Sequence, residues 1–203
     1  MAKADIIIRN LDLSDLKDIV KVEKLSWPEE LVASEKKLRD RLETFQEGFL
    51  GVYMNGKLVG FGTSQLINYD GKARGWTELT ADGWISKTHK SGGNALHLVS
   101  LGVIPEARRI GIGKKLLTER MRLAKHFGLK YIVTNVRIPT YHRFCSSKEK
   151  GNKEISPEEY VKKGMDPLVK WYMKQGFKIK GIIREDANDP ESRNCGVCMV
   201  KKL

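Results

Sequence analysis

A junction of strand, glycine-containing loop and helix in the middle of the chain constrains the fold more than any other feature. Residues 95–103 are mostly apolar, as in a buried strand, and Pro105 ends them. Residues 111–127 then carry apolar side chains at helical spacing, and Gly128 follows where a glycine commonly ends a helix. Because further strand and helix patterns flank this junction on both sides, the sequence predicts an α+β protein with helices on the faces of a mixed sheet.

The start of that helix has the features of an anion-binding site. Gly111 and Gly113 allow the backbone to approach a ligand closely, and the N–H groups of a helix N-terminus favour negative charge. Arg108, Arg109 and Lys114 add positive charge beside them. The segment therefore predicts a site for a phosphate or a pyrophosphate.

Two common phosphate-binding fingerprints do not fit this loop. A Walker A loop fails because Arg108 stands at its first glycine position and Lys115 stands where serine or threonine belongs. The dinucleotide-binding fingerprint fails because Leu116 takes the place of its third glycine. The pattern that fits is R-x-x-G-x-G, formed by Arg108, Gly111 and Gly113.

This pattern, with a strand before it and a helix after it, resembles motif A of the GCN5-related N-acetyltransferases (GNAT), a family that uses acyl-CoA. Residues 171–177, WYMKQGF, resemble the Y-x-x-x-G-F of the family's motif B. The order strand, helix, helix and hairpin before the junction matches the family's N-terminal half, so the resemblance covers about residues 6–200. Residues 76–85 and 137–142 further resemble acetyltransferase domains that are sometimes fused to carbon–nitrogen hydrolases.

The resemblance implies a GNAT-like fold, with a central mixed, mostly antiparallel sheet of about six to seven strands that is flanked by helices and splayed between its middle strands. We expect residues 1–203 to form a single acetyltransferase domain, with an insertion at about residues 137–165. A local pattern agrees with this fold, because Asn55-Gly56 is a strong signal for a β-hairpin. Residues 68–94 are expected to be a polar, glycine-rich connection.

The resemblance also implies acetyl-CoA as co-substrate and no metal. The pyrophosphate is expected on the N–H groups at the start of the helix, and the pantetheine chain beside the end of the preceding strand. A β-bulge at about residues 100–102 would leave the amide of Leu101 free to donate to a developing oxyanion. The expected cofactor-binding residues are Leu101, Gly102, Val103, Arg108, Arg109, Ile110, Gly111, Ile112, Gly113 and Lys114.

Two side chains are candidates for proton transfer in the implied reaction, which is direct attack of a primary amine on the thioester in a ternary complex. An alkylammonium group with a pKa of about 10 has to lose a proton first. His97 lies eleven residues before Arg108, an offset at which family members carry glutamate or histidine, and it is the expected base; a packed or hydrogen-bonded histidine is the alternative. Tyr172, matched to the tyrosine of motif B, is the expected acid for the leaving thiolate, with a core aromatic residue as the alternative.

The acceptor is expected to be a small-molecule or peptide amine. Trp27, Glu78, Asp82 and Tyr141 lie in segments that the family places around the acceptor cleft. The two carboxylates could pair with a cationic amine, or could be ordinary surface charge.

The charge balance supports a different class of function. The chain has 37 Lys and Arg residues against 25 Asp and Glu residues, a formal net charge of +12, and such a surface attracts polyanions. A basic nucleic-acid-binding module is therefore an alternative, although the sequence has no aromatic RNP pattern, GXXG loop or recognition-helix signature. The phosphates of CoA are a simpler partner for the charge near Arg108. A catalytically inactive CoA-binding sensor is a further alternative, against which Tyr172 argues.

Cysteine usage and hydropathy indicate a cytoplasmic protein. Three cysteines, Cys145, Cys195 and Cys198, fit a reducing compartment better than a disulfide scaffold, and the last two are interpreted as buried structural thiols. No apolar run approaches the roughly 18 residues of a membrane span. No apolar segment precedes the first charged residues, so a secretory signal is not expected. The resemblance also allows a homodimer, because many relatives dimerise.

Overall fold

One seven-stranded sheet forms the centre of the protein. The computed structural model describes residues 5–147 and 155–203. The strands are β1 (Ile6–Asn10), β2 (Leu50–Met54), β3 (Lys57–Ile67), β4 (Ala95–Val103), β5 (Tyr131–Arg137), β6 (Lys178–Ile183) and β7 (Gly196–Lys202). Within the described ranges, the α-helices are α1 (Leu16–Ser26), α2 (Glu35–Thr44), α3 (Trp76–Thr80), α4 (Ile112–His126), α5 (Thr140–Ser146), α6 (Pro157–Lys162) and α7 (Pro167–Lys174). The predicted α+β class and strand number are confirmed.

The sheet is mixed and mostly antiparallel, as predicted. Its strand order is β1-β2-β3-β4-β5-β7-β6. The central neighbours β4 and β5 are parallel, and each other pair of neighbours is antiparallel. The parallel pair is joined through α4, which is the crossover connection that parallel strands need.

The two parallel strands separate half-way along their length. Pairing runs from Ala95 opposite Tyr131 to Leu98 opposite Thr134. β4 nevertheless continues to Val103 and β5 continues to Arg137. The expected splay of the middle strands is therefore present, and it opens a gap in the sheet beyond Leu98.

A bulge in β4 lies at the start of this gap. On β3, the adjacent residues Thr63 and Ser64 pair with Ser100 and Leu98, so Val99 is the extra residue. The bulge therefore comes just before the predicted range of residues 100–102. Gly102, the glycine that suggested that range, instead allows β4 to pack closely against α1. A Cβ on Gly102 would lie 3.0 Å from the Cβ of Ser26 in α1.

Local sequence signals explain where several elements turn or begin. Asn55 and Gly56 have φ angles of 50° and 76°, the positive values that a primed two-residue hairpin turn requires. Ser34 and Ser156 begin α2 and α6, and each side-chain oxygen accepts from the backbone N–H three residues later. Asp166 caps α7 in the same manner.

Helices cover both faces of the sheet. Phe61 of β3 packs in a cluster with Ile19 of α1 and Leu38 of α2. The next residue, Gly62, approaches the Arg120 side chain of α4, since a Cβ on it would lie 3.0 Å from Arg120 Nη1. Because neighbouring residues in a strand point to opposite faces, α1 and α2 cover one face and α4 covers the other.

The predicted polar connection and the predicted insertion both contain helices. The connection of residues 68–94 includes α3, and the insertion of about residues 137–165 includes α5 and α6. Residues 148–154 of that insertion lie outside the described residues. In the ranges 5–147 and 155–203, no helix combines the length and the hydropathy needed to cross a bilayer.

Candidate active site

A cleft of about 480 Å³ opens where β4 and β5 separate. Val99 and Ser100 of β4 form one edge of the gap, and residues 135–137 of β5 form the other. The remaining walls come from α1 and the segment after it, from α2 and α3, and from residues 185–189 between β6 and β7. The cleft therefore lies on the face that α1 and α2 cover, directly against the gap in the sheet.

Acidic side chains outnumber basic ones in this cleft, in contrast to the chain as a whole. Six carboxylates and three cations line it. They are Glu23, Glu30, Asp82, Glu185, Asp186 and Asp189, and Lys37, Arg41 and Arg137. Lys37 pairs with Asp82 at 2.8 Å and Arg137 pairs with Asp189 at 2.7 Å, so two of the cations are already engaged. The cleft is suited to a cationic ligand.

Glu23 of α1 is the most deeply buried of these carboxylates, with 2% of its surface exposed. Its Oε1 accepts from the N–H of Ala33 at 2.8 Å, whereas its Oε2 has no hydrogen-bond partner in the described protein. Burial raises the pKa of Glu23, against the opposing effects of the Ala33 N–H, the Arg41 charge and the Trp27 indole. A cation in the cleft would favour the ionised form of this carboxyl.

The N-terminus of α4 has free backbone donors. Gly111 precedes the helix with a φ of 91°, a left-handed conformation that favours glycine. The N–H of Lys115 donates to Gly111 O at 3.0 Å, and the N–H groups before Lys115 are the ones that a helix leaves without intrahelical partners.

Gly113 leaves room at this helix start that the protein itself does not fill. Its φ is not positive, and an added Cβ would meet only Leu101 Cδ2 of the described atoms, at 3.8 Å, which is an ordinary contact. Neither backbone conformation nor packing therefore demands glycine there. The open space and the free N–H groups fit the close approach of the pyrophosphate of a CoA ester.

The charged residues of the loop differ in what they contact. Arg108 donates from Nε to Val103 O at 2.9 Å and from Nη2 to Ser26 O at 3.1 Å, so it joins the end of β4 to α1. Arg109 has a positive φ of 66° and is exposed, as is Lys114. Arg108 is predicted to bind phosphate directly, but its guanidinium is already hydrogen-bonded within the protein.

The other predicted cofactor residues lie along β4 and the start of α4. Leu101, Gly102 and Val103 belong to the part of β4 beyond its pairing with β5. Ile110 is 52% exposed in the loop. Ile112 is buried against the sheet and contributes its backbone to the helix start.

Tyr172 of α7 approaches the gap from the face opposite the cleft. It packs in the core with Leu117 of α4, and its ring contacts Phe177 at 5.3 Å. Burial raises the pKa of Tyr172, while the Arg120 charge and the Thr134 hydroxyl lower it. Thr134 is the last residue of β5 that pairs with β4, so the tyrosine lies beside the point where the strands separate.

His97 is fully buried and does not line the cleft. One ring nitrogen lies 3.2 Å from Gln65 Nε2 and the other lies 3.0 Å from Asn135 Oδ1. Burial lowers the pKa of His97 to about 4, so the ring is neutral near pH 7. In this geometry His97 is not placed to act as the predicted direct base. Its ring reaches the cleft only through Asn135, and an amide side chain has no titratable proton to relay.

The four predicted acceptor residues divide into two groups. Trp27 and Asp82 line the cleft. Glu78 pairs instead with Arg74 at 3.1 Å and does not line the cleft. Tyr141 is a core residue whose hydroxyl donates to Ile155 O at 2.8 Å, which ties α5 to the segment just before α6. Sequence position alone could not distinguish these cases, because each depends on the direction of one side chain.

Comparison with known proteins identifies the family. A model of the Acetyltransferase (GNAT) family matches residues 14–144 of this chain. The chain belongs to the GNAT family. It is accordingly an acyl-CoA-dependent acetyltransferase by family.

Two proteins of Bacillus subtilis (strain 168) are similar to this GNAT protein. YkwB, described as an uncharacterized N-acetyltransferase, is 30% identical over 203 residues that cover 95% of this chain and 86% of YkwB. YhcX, described as a probable hydrolase, is 30% identical over 183 residues that cover 87% of this chain and 34% of YhcX. The chain thus spans about a third of YhcX.

A solved GNAT structure is similar over nearly its whole length. The GNAT-like decarboxylase GphF in complex with isobutyryl-CoA matches with a TM-score of 0.81 and 26% identity, over 97% of this chain and 98% of GphF. No group of three or more His, Cys, Asp or Glu residues that could hold a metal occurs in the part of the chain that the structure describes.

Among the residues that the sequence analysis missed are two buried charged side chains, of which only Glu23 lines the cleft. Glu23 lies on α1, where a charged residue looks like part of a solvated helix face. Arg120 lies on α4 and is fully buried, with Nε donating to Ser64 Oγ at 3.0 Å and Nη1 lacking a partner. Its signal was available, since Arg120 stands in the apolar stripe that includes Leu116 and Leu117.

Proposed function

We propose that this GNAT protein transfers an acetyl group from acetyl-CoA to a primary amine by direct attack in a ternary complex. The observation that carries the proposal is the acidic cleft, which opens on the gap between β4 and β5. A cationic acceptor can enter from the face of α1 and α2, while the helix start that fits a pyrophosphate lies on α4. The separated strands let the two substrates meet.

The residues proposed to hold the co-substrate are those at the α4 start and the end of β4. The N–H groups of residues 109–114 are suited to the pyrophosphate, and residues 101–103 to the pantetheine chain. When bound, acetyl-CoA supplies the activated acetyl thioester. The complex of GphF with isobutyryl-CoA supports an acyl-CoA ligand for this fold.

Tyr172 is the proposed acid. The acceptor ammonium first loses a proton to solvent water, and the amine nitrogen then bonds to the acetyl carbon while the C–S bond breaks. A second N–H proton passes to solvent as the amide forms. Tyr172 donates its phenolic proton to the departing sulfur and is protonated again from solvent. Burial raises its pKa, so the phenol stays protonated near neutral pH.

His97 is proposed as a positioning residue. It holds Asn135, whose side chain belongs to the lining of the cleft. Trp27 and Asp82 are the proposed acceptor contacts among the residues predicted from the sequence. The three free cysteines support the cytoplasm as the proposed location, and a homodimer stays a prediction.

A thermal-shift titration tests the co-substrate. A ligand that binds only the folded state stabilises it by about 2.7 kcal/mol at 100 times its Kd. We expect a shift with acetyl-CoA and a smaller one with dephospho-CoA, ATP or a short RNA, followed by amine-dependent release of CoA. A shift with RNA alone would contradict the proposal, as would release of carbon dioxide from malonyl-CoA without acetyl transfer to any amine.

A further inference from the structure

We propose that Glu23 binds the ammonium group of the acceptor and thereby restricts this enzyme to acceptors that carry a positive charge at the reacting nitrogen. The inference deepens the proposed function and rests on it. It names the residue that selects the acceptor, which neither the family match nor the relatives' descriptions assign.

The unused oxygen of Glu23 is the first observation. Glu23 lines the cleft and is 2% exposed, yet its Oε2 has no hydrogen-bond partner in the described protein. A buried carboxylate with one oxygen unsatisfied is costly, and such groups usually have a paired charge. The indole of Trp27, which lines the same cleft, lowers the pKa of Glu23, but its N–H also lacks a hydrogen-bond partner in the described protein, so it does not satisfy Oε2. A charged donor for Oε2 is therefore expected to come from outside the chain, through the cleft.

The nearest protein cation does not fill this role. Arg41 of α2 is fully buried and attracts Glu23 electrostatically, but the two side chains form no ion pair. Its Nε donates instead to Gly83 O at 3.1 Å. Lys37 is held by Asp82 at 2.8 Å. Of the three cations in the cleft, none is paired with Glu23.

A second unpartnered acceptor atom lies on the same helix. Ser26 lies three residues after Glu23 on α1, so the two side chains share a face of the helix. Ser26 Oγ is buried and also lacks a hydrogen-bond partner in the described protein. Ser26 does not itself line the cleft, so the carboxylate of Glu23 is the group assigned to the ammonium.

The position of the C-terminal end of α1 relative to the gap supports a role for Glu23 at the reacting nitrogen. A Cβ on Gly102 of β4 would lie 3.1 Å from Ser26 Oγ and 3.3 Å from Trp27 Nε1. Gly102 belongs to the part of β4 that no longer pairs with β5, which is where the thioester is proposed to lie. Trp27 lines the cleft with Glu23, so an ammonium bound to Glu23 would lie near the splayed strand.

The competing explanation is structural, since Glu23 Oε1 anchors the segment after α1 through the N–H of Ala33 at 2.8 Å. Glu23→Gln separates the two roles. A glutamine keeps a carbonyl oxygen for Ala33, but it replaces the charged Oε2 acceptor with an uncharged NH2 donor. If Glu23 has only a structural role, Glu23→Gln should retain the wild-type function. If Glu23 binds an ammonium, Glu23→Gln should not retain it.

The experiment measures kcat and KM for n-alkylamines from propylamine to hexylamine, by release of CoA at saturating acetyl-CoA. For Glu23→Gln we expect KM for the amine to rise at least about tenfold, the effect of losing one hydrogen bond to a charged group. The melting temperature and the acetyl-CoA thermal shift should stay near those of the wild type. Asp18→Asn is the matched control, because it removes an exposed carboxylate from the same helix outside the cleft.

The outcomes separate the inference from the function on which it rests. If the wild type acetylates no amine, the proposed function fails. If the wild type is active and Glu23→Gln keeps the wild-type KM, the role of Glu23 is refuted. If Glu23→Gln does not fold, a second measurement on the wild type tests the role. Alkylamines should inhibit acetylation of one another, and n-alkanols of equal length should not. Equal inhibition by the alcohols would also refute the role.

Discussion

The space at Gly113 leads to a prediction in which stability and ligand affinity change in opposite directions. In Gly113→Ala, the new methyl group meets only Leu101 Cδ2, at 3.8 Å, so it fits without strain. Replacing a helical glycine with alanine stabilises by about 0.5–1 kcal/mol, because the unfolded chain loses freedom. For a chain of 203 residues this corresponds to a rise in Tm of about 1–4 °C.

Acetyl-CoA affinity should fall in the same variant. The methyl group occupies the space beside the free N–H groups of the α4 start, and the loss of one hydrogen bond to a charged group costs about 1.5–3 kcal/mol. Calorimetric titration should therefore give a Kd at least about tenfold higher than that of the wild type. Wild-type affinity in a folded Gly113→Ala protein would refute the assignment of the pyrophosphate to this helix start.

Two control variants separate packing from binding. Gly111→Ala forces alanine to a φ of 91°, so it should lose about 1–2 kcal/mol of unfolding free energy in the absence of any ligand. Lys125→Ala changes an exposed residue in the last turn of α4 and should alter neither quantity. A stability loss in Gly113→Ala that equals the loss in Gly111→Ala would contradict the difference between the two glycines.

Three further predictions concern Tyr172, His97 and Arg108. Tyr172→Phe should lower kcat about 100-fold in steady-state assays and leave the Kd for acetyl-CoA nearly unchanged, because only the proton donor is lost; full activity would remove Tyr172 from the mechanism. Burial lowers the pKa of His97 to about 4, so the unfolded chain binds a proton that the folded chain does not. The neutral, buried His97 therefore adds to the free energy of unfolding. This contribution is complete above about pH 6.5, and roughly 3 kcal/mol of it is lost as the pH falls from about 6.5 to 4. Urea unfolding of His97→Gln should lack that contribution, and an equal pH dependence in both proteins would contradict it. Arg108→Ala should lose about 1 kcal/mol in the same assay, since its hydrogen bonds to Val103 O and Ser26 O disappear, and unchanged stability would argue against that contact.

The sequence predicted the parts of the fold that depend on neighbouring residues. The hairpin turn at Asn55-Gly56 follows from backbone conformation, and the helix start at Gly111 follows from a strand, a loop and an apolar stripe within one segment. The family resemblance extended this local information to a mixed, mostly antiparallel sheet of six to seven strands. Together they were sufficient for the α+β class and for the splayed middle strands.

The cleft could not be predicted in the same way, because its residues come from distant parts of the chain. Glu23 and Asp186 line one cavity although α1 and the loop between β6 and β7 supply them. His97 illustrates the limit for a single residue: the offset from Arg108 locates it on β4, but it lies where β4 still pairs with both β3 and β5. A side chain at such a position is covered on its own face, and only the three-dimensional arrangement reveals that.

Acetyl transfer to an amine is the central claim, and mass spectrometry of the products tests it most directly. The wild-type protein would be incubated with acetyl-CoA carrying a ¹³C-labelled acetyl group and with a mixture of n-alkylamines. We predict labelled N-acetylalkylamine and free CoA in equal amounts, both dependent on the protein. Free CoA with labelled acetate and no labelled amide would contradict the claim, because the acetyl group would then have passed to water.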